Sequence, residues 1–255
     1  MTYPGGKAGD GVYQKIINQM PPHRVYIEPF LGGGTVLLKK KPASSNIAMD
    51  SDPEVAARFE GIATVGDSTR WENLIVKSGE AISFLKKYKW RGGELVYCDP
   101  PYLMSTRSCK KDIYNHEFST EKQHRNLLAV LKRLPCYVMI SGYWSDLYAA
   151  ELSTWRHISY TARTRSSRTA TEFLWMNFSE PFELHDYSYL GENFRERERI
   201  KRKKDRWSER LASMPSTERY AILQAVNEAA ARAGTVKNND AAGGIVTNID
   251  RIPPE

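Results

Sequence analysis

The chain has 255 residues, of which 41% are hydrophobic, and it carries a formal net charge of +7. This length and composition exclude a fibrous or intrinsically disordered protein and suit one sizeable domain with an appendage. The net charge favours a polyanionic partner, and nucleic acid is the leading candidate.

Cysteines and apolar runs narrow the class of protein further. The cysteines Cys98, Cys109 and Cys136 are odd in number and lack metal-ligand spacing, so we expect neither a disulfide framework nor a metal site. This cysteine usage fits a protein of the reducing cytoplasm. No apolar run approaches membrane-spanning length, and no signal-peptide pattern opens the sequence. We therefore expect no membrane partner and no secretion, and we take a monomer as the default.

Short apolar, β-branched runs alternate with longer segments of helical character. The predicted strands are 25–30, 46–50, 63–67, 94–97, 137–143, 155–161 and 171–178. The helices predicted between them are 10–20, 35–40, 53–60, 120–134 and 145–152. This alternation predicts a mostly parallel sheet covered by helices on both faces. Because ligands of such sheets bind beyond the carboxyl ends of the strands, we expect the functional residues there.

A glycine-rich turn follows the first predicted strand. Its sequence is Glu28-Pro29-Phe30-Leu31-Gly32-Gly33-Gly34, and a helix is predicted from Thr35. Glycines let a backbone approach a ligand closely, and a helix N-terminus favours a negative group such as a carboxylate. The same pattern also occurs in ordinary tight turns. Neither this stretch nor Gly5-Gly6-Lys7-Ala8 has the spacing of a phosphate-binding P-loop.

Aspartates end the next two predicted strands. Asp50 ends the second strand, where its carboxylate can accept hydrogen bonds from both hydroxyls of a ribose. The alternative role of Asp50 is the N-cap of the helix that begins at Pro53. Asp67 ends the third predicted strand, where it either reads an adenine amino group or caps a turn.

The fourth predicted strand leads directly into Asp99-Pro100-Pro101-Tyr102. The two prolines fix two φ angles and leave the carbonyl of Pro100 beside a carboxylate and an aromatic ring. Asp99 and this carbonyl can bind both hydrogens of a planar amine, such as that of adenine, while Tyr102 stacks on the base. An adenine within a duplex must leave the stack to reach such a site. By itself, the tetrapeptide is also compatible with an ordinary strand-ending turn.

The composition changes after Phe178. Nine of the sixteen residues from Arg195 to Arg210 are Lys or Arg and four are Asp or Glu, in a segment of high helix propensity. We expect this segment to contact DNA phosphates, and the alternative is a solvated helix balanced by local ion pairs. The candidate contacts within it are Arg199, Lys201, Arg202 and Lys203.

Three further arginines, Arg163, Arg165 and Arg168, lie between the last two predicted strands. They are candidates for contacts to the DNA backbone, and an ordinary exposed loop is the alternative. A second C-terminal helix is predicted at 216–232, with apolar positions at Tyr220, Ile222, Leu223 and Val226. The residues beyond it are rich in Gly, Asn and Pro, which is typical of a flexible tail.

Four segments, taken in this order, resemble the Dam-type (class alpha, D12-like) DNA adenine-N6 methyltransferases, which use S-adenosylmethionine. They are Tyr3-Pro4-Gly5-Gly6-Lys7, the glycine-rich turn, Asp50 and Asp99-Pro100-Pro101-Tyr102. The resemblance covers residues 1 to about 178 and continues through Phe118-Ser119-Thr120, Gln123, His124 and Glu172-Phe173-Leu174-Trp175-Met176-Asn177. It implies the α/β fold of class I S-adenosylmethionine-dependent methyltransferases, a Rossmann-like sheet, here with a C-terminal basic helical extension.

The resemblance also implies roles for individual residues. The family's N-terminal aromatic residue and lysine border the cofactor pocket, the glycine loop holds the methionine part, and the aspartate after the second strand holds the ribose. The residues implied to bind S-adenosylmethionine are Tyr3, Lys7, Phe30, Gly32, Gly34, Asp50, Asp67 and Asp99. The residues implied to hold the flipped adenine are Asp99, Pro100 and Tyr102.

The implied activity is methyl transfer to the N6 amino group of adenine in double-stranded DNA. We expect a catalytic domain at 1–182, a basic helical region at 183–232 and a tail at 233–255, in the cytoplasm of a bacterial or phage-infected cell. A role in restriction and modification or in a phage fits this activity. Methylation of RNA, cytosine or a protein glutamine is the enzymatic alternative, and an inactive DNA-binding relative is the other.

One departure from the family concerns sequence specificity. Members with a short recognition site usually carry a long recognition insert before the catalytic tetrapeptide, whereas only about thirty residues separate Asp67 from Asp99 here. Recognition then falls to residues 103–117 and the C-terminal helices, or the enzyme methylates adenine in many contexts. The five histidines are scattered along the chain, so we expect surface or packing roles for them.

Overall fold

The computed structural model describes residues 6–9, 11–65, 71–107, 117–163 and 169–240. The chain divides into two compact units, Met1–Tyr189 and Leu190–Glu255. The first unit contains α1 (Val12–Ile17), β1 (Val25–Glu28), α2 (Thr35–Lys39), β2 (Ser45–Asp50), α3 (Pro53–Val65), β3 (Leu74–Ser78), α4 (Ala81–Lys87), β4 (Glu94–Cys98), α5 (Glu121–Leu131), β5 (Tyr137–Gly142), α6 (Asp146–Glu151), β6 (Arg156–Arg163) and β7 (Thr169–Met176). The second contains α7 (Phe194–Ala212) and α8 (Ser216–Asp240).

The strands of the first unit form one mixed sheet. Their order in the described residues is β3-β2-β1-β4-β5-β7-β6. The first five strands pair in parallel, and β7 runs antiparallel to both β5 and β6. The chain reverses its direction across the sheet between β1 and β4, which is where open α/β sheets bind ligands. This arrangement is the class I methyltransferase fold, and it confirms the predicted mostly parallel α/β sheet.

Helices cover both faces of the sheet. On one face, α1, α2 and α3 bury a hydrophobic cluster that includes Ile16, Leu37 and Phe59. On the other face, α4, α5 and α6 bury a second cluster. All five residues of β4 are buried, because a central parallel strand is covered on both sides. The strand that precedes the tetrapeptide is therefore held rigidly at the centre of the sheet.

The predicted third strand, 63–67, is wrong. Residues 63–65 belong to α3, and the third strand is β3, which is followed by the unpredicted helix α4. β3 lies at the edge of the sheet and exposes Ile75, so its sequence lacks the uninterrupted apolar pattern of the inner strands. Asp67 lies outside the described residues, and the residues that follow the third strand are Gly79 and Glu80.

The second unit contains the helix predicted for the basic segment 195–210 and the helix predicted at 216–232. The side chain of Asn193 caps α7 by accepting a hydrogen bond from the backbone amide of Glu196 at 3.0 Å. No residue of α7 is buried. α8 extends past residue 232 to Asp240, into the segment whose composition predicted a tail. No helix in the described part of the chain is both long enough and apolar enough to cross a membrane.

Candidate active site

A cavity of about 400 Å³ opens at the carboxyl ends of β1, β2 and β4 in the first unit. Its walls come from the glycine-rich turn after β1, from the end of β2, from the start of α4 and from the tetrapeptide after β4. The predicted site residues that line it are Lys7, Phe30, Gly32, Gly34, Asp50, Asp99, Pro100 and Tyr102. The fold thus brings residues from distant parts of the sequence to one place, as expected for the carboxyl edge of a parallel sheet.

Asp50 organises the side of the cavity formed by the glycine-rich turn. One carboxylate oxygen accepts a hydrogen bond from the backbone amide of Gly32 at 2.8 Å, and the other accepts from the amide of Asp52 at 3.0 Å. Asp52, rather than Asp50, caps α3, because its carboxylate accepts from the amide of Glu54 at 2.9 Å. The helix-cap alternative for Asp50 is therefore wrong, and its carboxylate instead fixes the turn that borders the cavity.

Gly34 is required for two reasons. Its φ of +59° lies in the left-handed region that favours glycine. A Cβ built at this position would come within 2.2 Å of Cζ of Phe59. The absent side chain therefore serves the packing of α3 against the turn as well as the shape of the turn itself.

Glu28 ends β1 directly beneath the glycine-rich turn and is 3% exposed. Its Oε2 accepts hydrogen bonds from the hydroxyl of Tyr26 at 2.7 Å and from the backbone amide of Leu37 at 3.1 Å. Burial raises the pKa of Glu28 to about 8, although the bond from Tyr26 opposes the rise. The amide of Leu37 in α2 is therefore bound by a side chain of the protein itself.

Lys7 and the tetrapeptide after β4 meet in a buried polar cluster. The Lys7 ammonium lies 2.8 Å from Oδ1 of Asp99, donates to the Tyr102 hydroxyl at 2.8 Å and lies 3.3 Å from Oε2 of Glu172. The Tyr102 hydroxyl lies 2.8 Å from Oε2 of Glu172 and 3.3 Å from Oδ1 of Asp99. Lys7 is 5% exposed and Glu172 is 6% exposed, so these contacts are shielded from water.

The cluster sets the charges of its members. Burial alone would lower the pKa of Lys7, but Asp99 and then Glu172 outweigh it and raise the pKa well above its ordinary value. The pKa of Asp99 is also raised, chiefly by burial, while Lys7 opposes this rise and Glu172 adds to it. Lys7 is therefore a permanent cation, and its contact is what favours the ionised form of Asp99.

The ring of Tyr102 has a defined orientation. Its hydroxyl is bound within the cluster, and its ring packs edge-on against that of Tyr143, with centroids 4.6 Å apart. Its backbone carbonyl accepts a hydrogen bond at 2.6 Å from Arg107. The Arg107 guanidinium also pairs through both terminal nitrogens with Glu117, at 3.1 and 2.9 Å. The backbone after the tetrapeptide is therefore fixed by a two-pronged ion pair.

Two residues that line the cavity, Phe118 and Glu80, were given no role in the sequence analysis. Phe30 and Phe118 form an aromatic wall, with ring centroids 5.3 Å apart. The carbonyl of Phe118 lies 3.0 Å from Nε2 of the buried His124, whose pKa burial lowers to about 4. Glu80, which caps α4, also lines the cavity. It takes the place after the third strand that Asp67 was expected to hold, and only a correct assignment of β3 would have found it.

Glu172 is the other residue without a predicted role, although its segment was part of the resemblance. It lies on β7, opposite Tyr160 of β6, and reaches the tetrapeptide across the sheet. Contacts between strands this far apart in sequence leave no local signal. Of the other predicted contacts, Tyr3, Asp67, Arg165 and Arg168 lie outside the described residues, as does the side chain of Arg163.

The predicted contacts of the second unit are exposed on α7. These residues are Arg199, Lys201, Arg202 and Lys203. The guanidinium of Arg199 lies 3.5 Å from the carboxylate of Glu196, so one local ion pair is present. In the described part of the chain, no group of three or more metal-ligating side chains comes together. Cys98 and Cys136 are free thiols, both buried.

Comparisons with known proteins show which proteins the chain resembles. No curated protein matches the chain. Similar solved structures include a putative RNA methyltransferase from Pyrococcus horikoshii, with 12% identity, a TM-score of 0.44, and 67% of this chain and 82% of that one covered. A conserved hypothetical protein from Streptococcus pyogenes is 15% identical, with a TM-score of 0.45, and the match covers 67% of this chain and 96% of that one. A putative methyltransferase from Escherichia coli is 14% identical, with a TM-score of 0.41, and the match covers 62% of this chain and 78% of that one.

One family model also matches the chain, and the description of that family is D12 class N6 adenine-specific DNA methyltransferase. The match covers residues 68–165, which include β3, α4, β4 and the tetrapeptide. It confirms the resemblance that the motifs predicted, over a segment that is less than half of the chain.

Proposed function

We propose that this protein transfers a methyl group from S-adenosylmethionine to the N6 amino group of adenine in double-stranded DNA, after the base has been flipped out of the helix. The observation that carries the proposal is the shared cavity. A glycine-rich turn tied to Asp50 borders one part of it, and the amine-binding tetrapeptide borders another. A cofactor and an acceptor base would therefore meet within one enclosed volume.

The residues that line the cofactor part of the cavity fit S-adenosylmethionine in their chemistry. The Asp50 carboxylate lines the cavity where ribose hydroxyls would donate to it, and a carboxylate presents about four acceptor sites. Phe30 and Phe118 supply apolar surface for a purine ring, and Glu80 supplies an acceptor at the start of α4. We assign Gly32 and Gly34 to the methionine part, because they line the same wall.

The acceptor part binds a planar amine. Asp99 and the carbonyl of Pro100 accept hydrogen bonds from the two amine hydrogens, and Tyr102 stacks on the base. S-adenosylmethionine supplies the methyl group: its sulfur–methyl bond breaks, the electron pair stays on sulfur, and the methyl bonds to the adenine nitrogen, which then releases a proton to water. Asp99 stabilises the positive charge that develops on the nitrogen, and Lys7 holds Asp99 in place.

The basic surface of α7 supports a DNA substrate. Arg199, Lys201, Arg202 and Lys203 are exposed there and would neutralise backbone phosphates without reading the sequence. Residues 71–98 are occupied by β3, α4 and β4 of the fold itself, with short connections between them. We therefore propose that the enzyme methylates adenine with short or relaxed sequence specificity.

The decisive experiment is a methylation assay with labelled S-adenosylmethionine and unmethylated genomic DNA, followed by digestion to nucleosides and mapping of N6-methyladenine. We expect labelled N6-methyladenine with wild-type protein and none with Asp99→Ala, which removes an acceptor for the amine. Asp146→Ala, which changes an exposed aspartate on α6, is the matched control and should keep full activity. Equal turnover by Asp99→Ala would refute the site. Label in a parallel reaction with RNA, and none with DNA, would refute the DNA substrate.

A further inference from the structure

Glu172 is a buried carboxylate that lies outside the tetrapeptide and has no role in the proposed function so far. It lies on β7, and register pairs it with Tyr160 on the edge strand β6. Its Oε2 lies 2.8 Å from the Tyr102 hydroxyl and 3.3 Å from the Lys7 ammonium. At 6% exposure it is cut off from water, and an unpaired carboxylate there would be costly. Its two partners are both residues of the proposed methyl-transfer site.

The arrangement of hydrogens assigns Glu172 a specific place in the cluster. The Tyr102 hydroxyl has one hydrogen, and the oxygen of Glu172 is the nearer acceptor, at 2.8 Å against 3.3 Å for Asp99. The Tyr102 oxygen in turn accepts from Lys7. Glu172 therefore accepts the hydrogen bond from the Tyr102 hydroxyl. Asp99 does not have to accept this bond and stays an acceptor for the substrate amine.

The formal charges point in the same direction. Asp99 and Lys7 alone would form a neutral pair, whereas the second carboxylate of Glu172 gives the cluster one negative charge in excess. Methyl transfer moves a positive charge from the sulfur of the cofactor to the nitrogen of the acceptor. An excess negative charge beside the acceptor stabilises that nitrogen, and a low-dielectric site strengthens the effect.

We propose that Glu172 is a positioning residue of the methyl-transfer site, which orients Tyr102 and Lys7 and supplies the negative charge that favours a cationic transition state at the acceptor nitrogen. This inference rests on the proposed function and deepens it. It adds a fourth strand, β7, to β1, β2 and β4, which line the cavity. It also implies a preference for acceptors whose nitrogen becomes positively charged as the methyl arrives.

Glu172→Gln tests the inference because glutamine keeps the size and one acceptor oxygen but removes the charge. We expect kcat for methylation of adenine in DNA to fall by about 10- to 100-fold, less than the loss of a direct transition-state contact. The dissociation constant for S-adenosylmethionine, measured by calorimetry, should change by less than about threefold, because Glu172 does not line the cofactor cavity. Glu172→Asp keeps the charge and should recover part of kcat.

The matched control is Glu180→Gln, which makes the same chemical change at an exposed position after β7 and should leave kcat unchanged. A second readout needs no turnover. In thermal unfolding, the effects of Glu172→Gln and Tyr102→Phe should be strongly non-additive, because both act on one hydrogen bond: the first removes its charged acceptor and the second removes its donor. Additive effects would overturn the assignment of that bond.

The outcomes separate this inference from the proposed function. An inactive wild-type protein would overturn the proposed function and the role of Glu172 with it. An active wild type with full kcat in Glu172→Gln would overturn the role of Glu172 alone. Equal losses in Glu172→Gln and Glu172→Asp, with a lowered melting temperature in both, would show that Glu172 only packs the sheet and would overturn it as well.

Discussion

Glu28 makes the stability of this protein depend on pH in a direction opposite to that of most carboxylates. Burial beneath the glycine-rich turn raises its pKa from 4.5 to about 8. Between these two pH values the unfolded chain has lost the Glu28 proton and the folded chain still keeps it. Because the folded state binds more protons there, its stability is highest below pH 4.5 and falls as the pH rises towards 8.

The size of the effect follows from the shift in pKa. Each pKa unit corresponds to about 1.4 kcal/mol, so Glu28 lowers the free energy of unfolding by up to about 5 kcal/mol across the interval. Glu28→Gln has no proton to lose. A glutamine oxygen can still accept from the Tyr26 hydroxyl and from the amide of Leu37, so both bonds at this site can persist. The variant should therefore become more stable, relative to wild type, as the pH rises.

Urea unfolding at a series of pH values between 5 and 8, followed by tryptophan fluorescence, measures this difference. The comparison is between variants, because His124 and His23, whose pKa values burial lowers to about 4 and about 2, add a pH dependence of the opposite sign to both proteins. Glu54→Gln, at an exposed position on α3, is the matched control and should run parallel to wild type. If Glu28→Gln also runs parallel to wild type, Glu28 is ionised in the folded protein and the reasoning fails.

Three other variants test separate parts of the structure. Gly34→Ala should lower the free energy of unfolding by about 2 to 4 kcal/mol in urea titration, because its Cβ overlaps Phe59 and its φ is positive; an unchanged value would contradict the packing argument. Arg107→Ala should cost about 2 to 4 kcal/mol and lower kcat, because it removes the two-pronged ion pair with Glu117 and the hydrogen bond to the carbonyl of Tyr102; unchanged kcat would show that the ion pair does not fix the tetrapeptide. Replacing Lys201, Arg202 and Lys203 on α7 by alanine should weaken DNA binding. The slope of log affinity against log salt should fall by roughly 0.9 for each phosphate that is no longer neutralised. An unchanged slope would show that α7 is a solvated surface.

The sequence predicted correctly that the tetrapeptide follows a buried strand and lies at the end of it, because the signals for this placement are local. A buried strand followed by Asp99 and two prolines leaves few conformations for the chain, and β4 ends where the pattern indicates. The same holds for the turn after β1, where glycines allow the positive φ values of Gly32 and Gly34. Both features depend on residues next to one another in the chain, which is why they can be read without the fold.

Other parts of the site depend on pairing across the sheet, and the sequence alone does not show them. β3 is an edge strand that exposes Ile75, so its sequence lacks the continuous apolar pattern of an inner strand. Because the sequence analysis did not place β3, it also did not find Glu80. Glu172 lies about seventy residues from Tyr102 and meets it only because β7 inserts between β5 and β6. Neither contact has a periodicity that could predict it.

The fold also constrains where sequence recognition could reside. Between α3 and the tetrapeptide, residues 71–98 form β3, α4 and β4, and each of these is needed to complete the sheet or to line the cavity. Only short connections join these three elements, so residues 71–98 contain no long loop that could extend into a DNA groove to read base edges. Discrimination among adenines must then come from groups outside this stretch, while phosphate contacts on α7 would add affinity that is the same for every sequence. A methylation map with no context preference is the expected result if no other part of the chain reaches the bases.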